Sequence, residues 1–368
     1  MTYDAAGNAS TLDEIHMARA LELGARGLYT TDPNPRVGCV LVREGQSIGE
    51  GWHRRAGEPH AEVLALRSVA GPTQGATAYV TLEPCSHTGR TPPCADALIA
   101  AGITRVVCAS VDPNPKVAGG GIRRLQAAGL TVVSGILEQQ ARTLNVGFFS
   151  RLERGRPFIR LKLAMSLDAR TASAAGGQTW ITDPASRADV QTWRARSSAV
   201  LTGAGTVRVD NPRLDVRLDY GPWVRQPLRV VLDPDLTCAP DSRIFGDDNA
   251  LIFAALDAPE RSEGAVRTER VRRAGRGLDL AAMVERLAAL EVNELLVECG
   301  SRLAGAFLDA GLVDELILYV APHFLGADAA PLALLNGLGH REPLPQFEFR
   351  DQRMIQNDLR LVLTPKRA

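Results

Sequence analysis

TLEPCSHTGRTPPC, residues 81–94, decides how the first half of this 368-residue chain is read. Two cysteines, Cys85 and Cys94, each follow a proline, and His87 lies between them. Core packing has no need of that combination. Upstream, PHAEVLALRSVA (59–70) brings His60 and Glu62 to the start of a helical pattern. One imidazole and two thiolates can fill three corners of a tetrahedral zinc site and leave the fourth to water. Zinc brings the pKa of that water from about 15.7 toward about 7. Glu62 stands two residues from His60, where helical side chains point apart. It suits a general base that takes the proton of the water and returns it to a substrate.

H-x-E followed by P-C is the order found in zinc deaminases, where the next cysteine follows after two residues. Here eight residues separate Cys85 from Cys94. Pro59 and Pro92-Pro93 suggest that His60 and Cys94 stand at helix starts, where the dipole favours thiolate. A closed structural site would need a fourth donor. His87 could supply it, but Glu62 would then have no purpose.

The bulk numbers exclude several classes. There are 42 basic and 42 acidic side chains, and residues 1–150 balance by themselves. Nucleic-acid tracking and attachment to acidic membranes both need a basic excess, so no nucleic acid and no membrane is expected as a partner. No apolar run reaches the roughly 18–20 residues of a membrane span, and MTYDAAGNASTLDE lacks the basic and apolar regions of a signal peptide. A cytoplasmic location, with thiols reduced, is the expectation. Cys39, Cys108 and Cys299 sit inside apolar runs and read as core positions, whereas Cys238 has no evident role.

Helices are expected over 12–26, 60–69, 94–101, 122–128 and 137–149. Short strands are expected over 37–42, 48–52, 77–82, 105–110 and 131–135. The alternation reads as an α/β sheet with helices on its faces. SRLERGRP (150–157) reads as a hinge, dividing the chain at 1–150 and 151–368. The second part offers strands at 158–166, 198–203, 228–233, 250–255, 294–300 and 315–322. A helix starts at Asp183-Pro184, and a hairpin turns at Gln356-Asn357-Asp358. That mostly apolar hairpin points to a homo-oligomer.

Two loops stay open at this level. Asn34, between prolines in TTDPNPRVG, could read a base-like ring with its amide or could simply turn the chain. The glycines of DPNPKVAGGG (112–121) could admit a phosphate or merely form a loop. In the second part, Gly203-Ala204-Gly205 and Gly300-Ser301 follow strands and could present backbone N–H groups to phosphate at helix starts. Neither completes a dinucleotide or P-loop fingerprint. Lys162, one of three lysines, shares one strand face with Arg160, Ala164 and Ser166, and that face is either solvated or lines a cleft for an anionic substrate.

TxPNPxVG, GEPHAEV, TLEPCSHxGRTPPC and DPNPxVxGxG occur in one order, followed by KLAMSLDxR, TWIT, TGxGTVxxDxPxLxxR and ExGxxLAGxFL. Over essentially its whole length the chain thereby resembles the RibD family, bifunctional deaminase/reductases of riboflavin biosynthesis, whose cysteine spacing is the one seen here. The resemblance implies an α/β chain with an N-terminal cytidine-deaminase-like three-layer domain and a C-terminal dihydrofolate-reductase-like domain. The substrate is a small-molecule pyrimidine ribotide and the cofactors are Zn2+ and NADPH. Zinc falls to His60, Cys85 and Cys94, and proton transfer to Glu62. The reaction implied is loss of the 2-amino group of 2,5-diamino-6-(5-phosphoribosylamino)pyrimidin-4-one, then reduction of the ribose to a ribityl chain.

On the reductase side the resemblance implies Ala164, Trp180, Thr206, Asp210 and the run Gly300, Ser301, Arg302, Leu303, Ala304, Gly305 and Ala306 for the cofactor. Gln178, Arg194, Leu214, Arg217 and Glu298 fall to the substrate, with the arginines as forks for the ribose phosphate. Lys162 is placed near the carbon that receives hydride. One departure stands out: the family glycine of SLDG is Ala169 here, strained if that site needs a positive φ. The rival readings are a tRNA-type, nucleic-acid-directed deaminase with an unrelated C-terminal domain, and a zinc-stabilised binding module.

Overall fold

The short apolar runs of the first half pair into one sheet. In chain order the elements are α1 (Thr11–Ala25), β1 (Gly38–Arg43), β2 (Gln46–Trp52), α2 (Ala61–Ser68), β3 (Thr77–Val80), α3 (Cys94–Ala100), β4 (Arg105–Cys108), α4 (Gly120–Ala127), β5 (Thr131–Ser134), α5 (Glu138–Leu144) and α6 (Val146–Arg154). These are the elements of a computed structural model that describes residues 11–86, 92–115, 117–172, 180–219, 221, 223–260, 266–336 and 345–366. The chain divides into two units, Met1–Gly155 and Arg156–Ala368.

In the first unit the strand order is β2-β1-β3-β4-β5, with β1 antiparallel to both neighbours and β3, β4 and β5 parallel. Both faces are apolar because helices cover both. Cys39, Leu41, Val80 and Val106 pack against Ala61, Ala65, Ala95 and Leu98 of α2 and α3. Val40, Tyr79 and Val107 pack against Met17, Ala20 and Ala141 of α1 and α5. Cys39 and Cys108 are fully buried in these layers. Gly51 of β2 lets α2 lie directly on the sheet, since a Cβ there would stand 2.5 Å from the Ala61 carbonyl oxygen.

The single helix expected over 137–149 is two. Asn145 separates α5 from α6, and its amide pairs with both backbone groups of Arg36. Arg36 in turn donates to the Leu144 carbonyl at 2.7 Å, so the break clamps the PNPRVG loop. The charged segment read as a hinge is helical through Arg154, and the chain turns at Gly155, with φ +67°.

The second unit contains β6 (Phe158–Ser166), β7 (Arg170–Ala172), α7 (Pro184–Arg196), β8 (Ala199–Gly203), α8 (Ala204–Asp210), β9 (Leu228–Leu232), β10 (Ala250–Ala255), β11 (Thr268–Val271), β12 (Arg273–Ala274), β13 (Gly277–Leu278), α9 (Leu280–Ala289), β14 (Glu294–Glu298), α10 (Ser301–Asp309), β15 (Glu315–Ala321), β16 (Ala330–Pro331), β17 (Phe347–Ile355) and β18 (Asp358–Pro365). Among the described residues the main sheet runs β11-β10-β9-β8-β14-β6-β15-β18-β17. It is parallel from β11 through β15, and the hairpin β17–β18 adds an antiparallel edge. Ile159, Leu161 and Leu163 of β6 face a core shared with α9 and α10. The opposite sheet face packs against Val190 of α7 and Val207 of α8.

Strand β6 is central, so its polar face is not a solvated one. Arg160 is buried and pairs with Glu294 and Glu315, and Glu294 also accepts from Arg196 at 3.2 Å.

Candidate functional sites

The zinc-type cluster forms where two helices begin on one face of the first sheet. His60 is the N-cap residue of α2 and Cys94 opens α3. Cys85 follows β3, and the α3 start is tied to it: Cys94 N–H donates to Cys85 Sγ at 3.3 Å and Ala95 N–H to the Cys85 carbonyl at 3.1 Å. His60 Nδ1 lies 3.2 Å from Cys94 Sγ and 3.7 Å from Cys85 Sγ, and the three donor atoms fall within 4.8 Å of one another. Among the described residues the group has these three members; His87 lies outside the described residues.

The donor set fits a soft divalent cation. The hydrogen bond from the Cys94 thiol holds Cys85 well below the usual thiol range, while the same bond pushes Cys94 up. Two sulfurs and an imidazole thus crowd one point, and a divalent cation there would hold both sulfurs as thiolates. Glu62, only 3% exposed, reaches the same cluster through Cys94. Burial pushes its carboxyl up, and the neighbouring His60 opposes that.

Asn34 does more than turn the chain. Its Nδ2 lies 3.1 Å from His53 Nε2, and His53 Nδ1 lies 3.2 Å from the Pro59 carbonyl. The carbonyl accepts only from a protonated Nδ1, which leaves Nε2 to accept from the Asn34 amide. Among the described residues the Asn34 Oδ1 atom has no hydrogen-bond partner. His53 is buried, with its ring 5.4 Å from that of His60, and sequence reasoning missed it. The one available signal was a histidine closing the strand seven residues before His60.

The glycines of DPNPKVAGGG serve an internal anion. Buried Glu83 accepts from the N–H groups of Gly119, Gly121 and Ile122 at 2.9, 2.8 and 3.2 Å, and from Asp112 at 3.2 Å. This carboxylate occupies the start of α4 in place of a phosphate. Gly121 has no room for a side chain: a Cβ would stand 1.8 Å from the Pro84 carbonyl oxygen.

In the second unit, Lys162 and Glu298 are register partners on adjacent parallel strands. Lys162 Nζ stands 5.6 Å from the Tyr319 ring centroid, and the Tyr319 hydroxyl donates to Asp189 at 2.5 Å. Burial pushes the Lys162 ammonium down; Glu298 opposes this and Arg194 adds to it. Burial also pushes Glu298 up, but the Arg194 charge and hydrogen bonds outweigh it and hold the carboxyl low. Tyr319 and Asp189 were not singled out from the sequence, where they are ordinary residues of a strand and a helix.

The remaining reductase positions differ in burial and in partners. Arg194 is not an open fork. Its Nε and Nη2 donate to Glu298 at 2.6 and 3.0 Å, and its Nη1 donates to the Asp215 carbonyl at 3.2 Å. Leu214 is buried in the core with φ +53°, so only its backbone can meet a ligand. Arg217 is exposed, 3.6 Å from Asp215. Gln178 lies outside the described residues.

Strands β8 and β14 are neighbours, so α8 and α10 start side by side at the carboxyl ends of parallel strands, where open α/β sheets bind ligands. A Cβ on Gly203 would stand 3.4 Å from Leu303. Thr206 and Asp210 on α8 are half-buried, and burial pushes the Asp210 carboxyl up. The run 300–306 narrows. Ala304 N–H is bonded to the Gly300 carbonyl, the Ala304 side chain is in the core, and a Cβ on Gly305 would meet the Leu334 carbonyl at 1.8 Å. The free N–H groups at the α10 start belong to Ser301, Arg302 and Leu303, whereas Gly305 and Ala306 lie in the helix body. Ala164 is half-buried at the far end of β6. Trp180, 63% exposed with the Arg187 guanidinium 4.6 Å from its ring centroid, lines a cavity with His323 and Asn357.

The family model described as the RibD C-terminal domain matches residues 157–361, and that described as the cytidine and deoxycytidylate deaminase zinc-binding region matches residues 10–110. The riboflavin biosynthesis protein RibD of Escherichia coli (strain K12) is 49% identical, over 95% of this chain and 99% of its own. That of Haemophilus influenzae is 44% identical, over 97% and 98%. The solved structure of Acinetobacter baumannii RibD, form 1, superposes with a TM-score of 0.89 at 44% identity, covering 97% of this chain and 99% of that one. A diaminohydroxyphosphoribosylaminopyrimidine deaminase/5-amino-6-(5-phosphoribosylamino)uracil reductase from Thermotoga maritima reaches 0.83 at 34% identity, covering 96% and 99%.

Proposed function

The chain belongs to the RibD family of riboflavin biosynthesis, and on that premise we propose how its residues divide the two activities. The protein is a bifunctional enzyme with a zinc-binding, cytidine-deaminase-like domain and an NADPH-dependent reductase domain. We assign deamination to residues 1–150 and reduction to residues 151–368. The substrate of the first step is the diaminopyrimidine ribotide and that of the second is 5-amino-6-(5-phosphoribosylamino)uracil, as the name of the Thermotoga relative reads. Cytoplasmic location and self-association through the edge strand β17, which exposes Phe349 and Met354, belong to the same proposal; sedimentation of the full chain measures the second. Among the described residues no helix is long and apolar enough to cross a membrane.

His60, Cys85 and Cys94 would hold zinc, which when bound supplies a Lewis acid that acidifies a water. The pyrimidine ring is positioned by the Asn34 amide, whose donor end is occupied by His53 and whose Oδ1 faces a ring N–H. Glu62 takes the proton of the attacking water on its carboxylate. Burial raises the proton affinity of that carboxylate, so it holds the proton and delivers it to the departing amino group.

NADPH supplies hydride in the second domain. Backbone N–H groups of Ser301, Arg302 and Leu303, with Thr206 on α8, face the phosphate end of the cofactor, and Ala164 and Trp180 the remainder. Lys162 stands where the ribose carbon is reduced and donates a proton or hydrogen bond to the sugar oxygen. Its lowered proton affinity makes it a better acid than an exposed lysine. Arg194 acts by fixing Glu298 beside Lys162, and Arg217 remains for the substrate phosphate. Asp210 closes the cofactor side.

The observation that carries the deaminase reading is the convergence of three donor atoms within 4.8 Å beside a buried carboxylate. Metal analysis tests it, together with ammonia release from the diaminopyrimidine ribotide, with tRNA and cytidine as controls. NADPH absorbance followed in the same mixture tests the second half. Ammonia released from tRNA instead of the ribotide would overturn the assignment.

A further inference from the structure

A second cluster of arginines lies outside the residues assigned above. Arg213, Asp215, Arg229, Arg243 and Asp247 line a cavity of about 300 Å³. Arg229 is the second residue of β9, and its side chain is 6% exposed. Its Nε donates to the Asn249 carbonyl at 3.2 Å and its Nη2 pairs with Asp247, whose side chain is 61% exposed. Among the described residues, Nη1 of Arg229 makes no hydrogen bond, and the Arg243 guanidinium has neither hydrogen bond nor ion pair. Arg213 pairs with Asp215 at 2.6 Å. Burial holds Arg229 below the usual guanidinium range; Asp215 opposes this and Arg213 adds to it.

Three guanidinium groups thus meet two carboxylates, and the most buried cation has a partner that stands mostly in water. Such a cation is poorly compensated. Planar guanidinium forks match the oxygens of a phosphate group, and one bound dianion supplies the missing charge. We propose that Arg213, Arg229 and Arg243 form a binding site for a phosphate monoester dianion, with Asp247 as the internal carboxylate that holds Arg229 until the anion arrives.

Asp215 ties this cavity to the reductase cluster. Its side chain faces Arg213 and Arg217, while its carbonyl accepts from Arg194. A dianion that draws Arg213 away leaves Asp215 to Arg217 and reaches the Arg194–Glu298 pair through the same residue. The anion is either the phosphate of the ribotide substrate or a free phosphate compound. Only that choice rests on the reductase reading; the site itself does not.

Inorganic phosphate and ribose 5-phosphate are titrated into the full chain by calorimetry, for the wild type, Arg243→Ala, Asp247→Asn and the exposed control Arg272→Ala. The Arg243→Ala variant removes a side chain that has no hydrogen bond or ion pair among the described residues, and its unfolding temperature serves to check the fold. Arg243→Ala should weaken binding roughly tenfold, the scale of one charge-assisted hydrogen bond. Asp247→Asn should strengthen it, and Arg272→Ala should leave it unchanged. A wild type that binds neither anion, or equal affinities in wild type and Arg243→Ala, overturns the proposal. If Arg243→Ala also raises KM for the aminouracil ribotide at constant kcat, the anion is the substrate's own phosphate; if KM holds while phosphate binding falls, it is a separate compound. Absent reductase activity would count against the functional reading alone, because the titration still decides the site.

Discussion

Ala169→Gly is expected to stabilise the second unit. Ala169 has φ +55°, in the left-handed region, and is exposed, so its methyl group packs against nothing that its loss would leave empty. The conformation is held from both sides. Ala169 N–H donates to the Ser166 carbonyl at 3.0 Å, and its own carbonyl accepts from Leu332 N–H at 3.0 Å. A non-glycine residue there costs about 1–2 kcal/mol. Glycine gives back about 0.5–1 kcal/mol through the greater freedom of its unfolded chain. The difference leaves a gain of roughly 0.5–1 kcal/mol, or about 1–4 °C in Tm for a unit of this size. Urea unfolding should show a higher midpoint at an unchanged slope. As a control, Ala289→Gly at the exposed end of α9 should lower stability, by up to about 1 kcal/mol. An Ala169→Gly protein no more stable than wild type would show that the positive φ carries no strain.

Glu62→Gln should retain zinc and lose ammonia release by at least about 10²-fold; near-normal deamination with metal bound would remove Glu62 from the chemistry. Lys162→Ala should abolish NADPH-dependent reduction while ammonia release stays near normal, and loss of both would show the activities to be inseparable. Glu83→Ala leaves four backbone N–H groups without their acceptor and should cost roughly 3 kcal/mol in urea unfolding; a change below about 1 kcal/mol would refute its anchoring role. The Ser166 hydroxyl, with the Leu325 and Gly326 N–H groups, holds Asp168 down to about 2, below the ordinary value of about 3.9. A depressed carboxyl contributes stability above its unfolded pKa and loses it as pH falls toward the folded one. Wild type should therefore lose more stability than Asp168→Asn between about pH 4 and pH 2, and parallel curves would exclude the contribution.

The metal-type cluster and the acid beside it were legible because their residues lie close together along the chain. His60 and Glu62 share one turn, and Pro59 and Pro93 mark where α2 and α3 begin, so side-chain type and helix start could be read together. The short apolar runs of 37–42, 77–82 and 105–110 likewise show sheet strands without any knowledge of their neighbours. The order of those strands is not written locally. Asn34 meets His53 only once β2 has turned back beside β1, and α5 ends where Asn145 reaches Arg36, 109 residues away.

The second unit shows the division more sharply. Residue types alone let Arg194 stand as a phosphate fork, and its sequence neighbours offer it no acidic partner. Parallel pairing of β14 with β6 and β8 sets Glu298 within 2.6 Å of it, a partner that its own helix does not supply. The cavity between Arg213, Arg229 and Arg243 has the same origin, since the loop after α8, the start of β9 and a 3-10 turn carry its three cations. The sequence by itself determined the candidate groups and the helices that start at them, because helix starts, turns and apolar periods depend on neighbours a few bonds away. Only the tertiary structure decided which charges compensate one another, because Coulomb pairing depends on distance in space and on burial, and both follow from strand order.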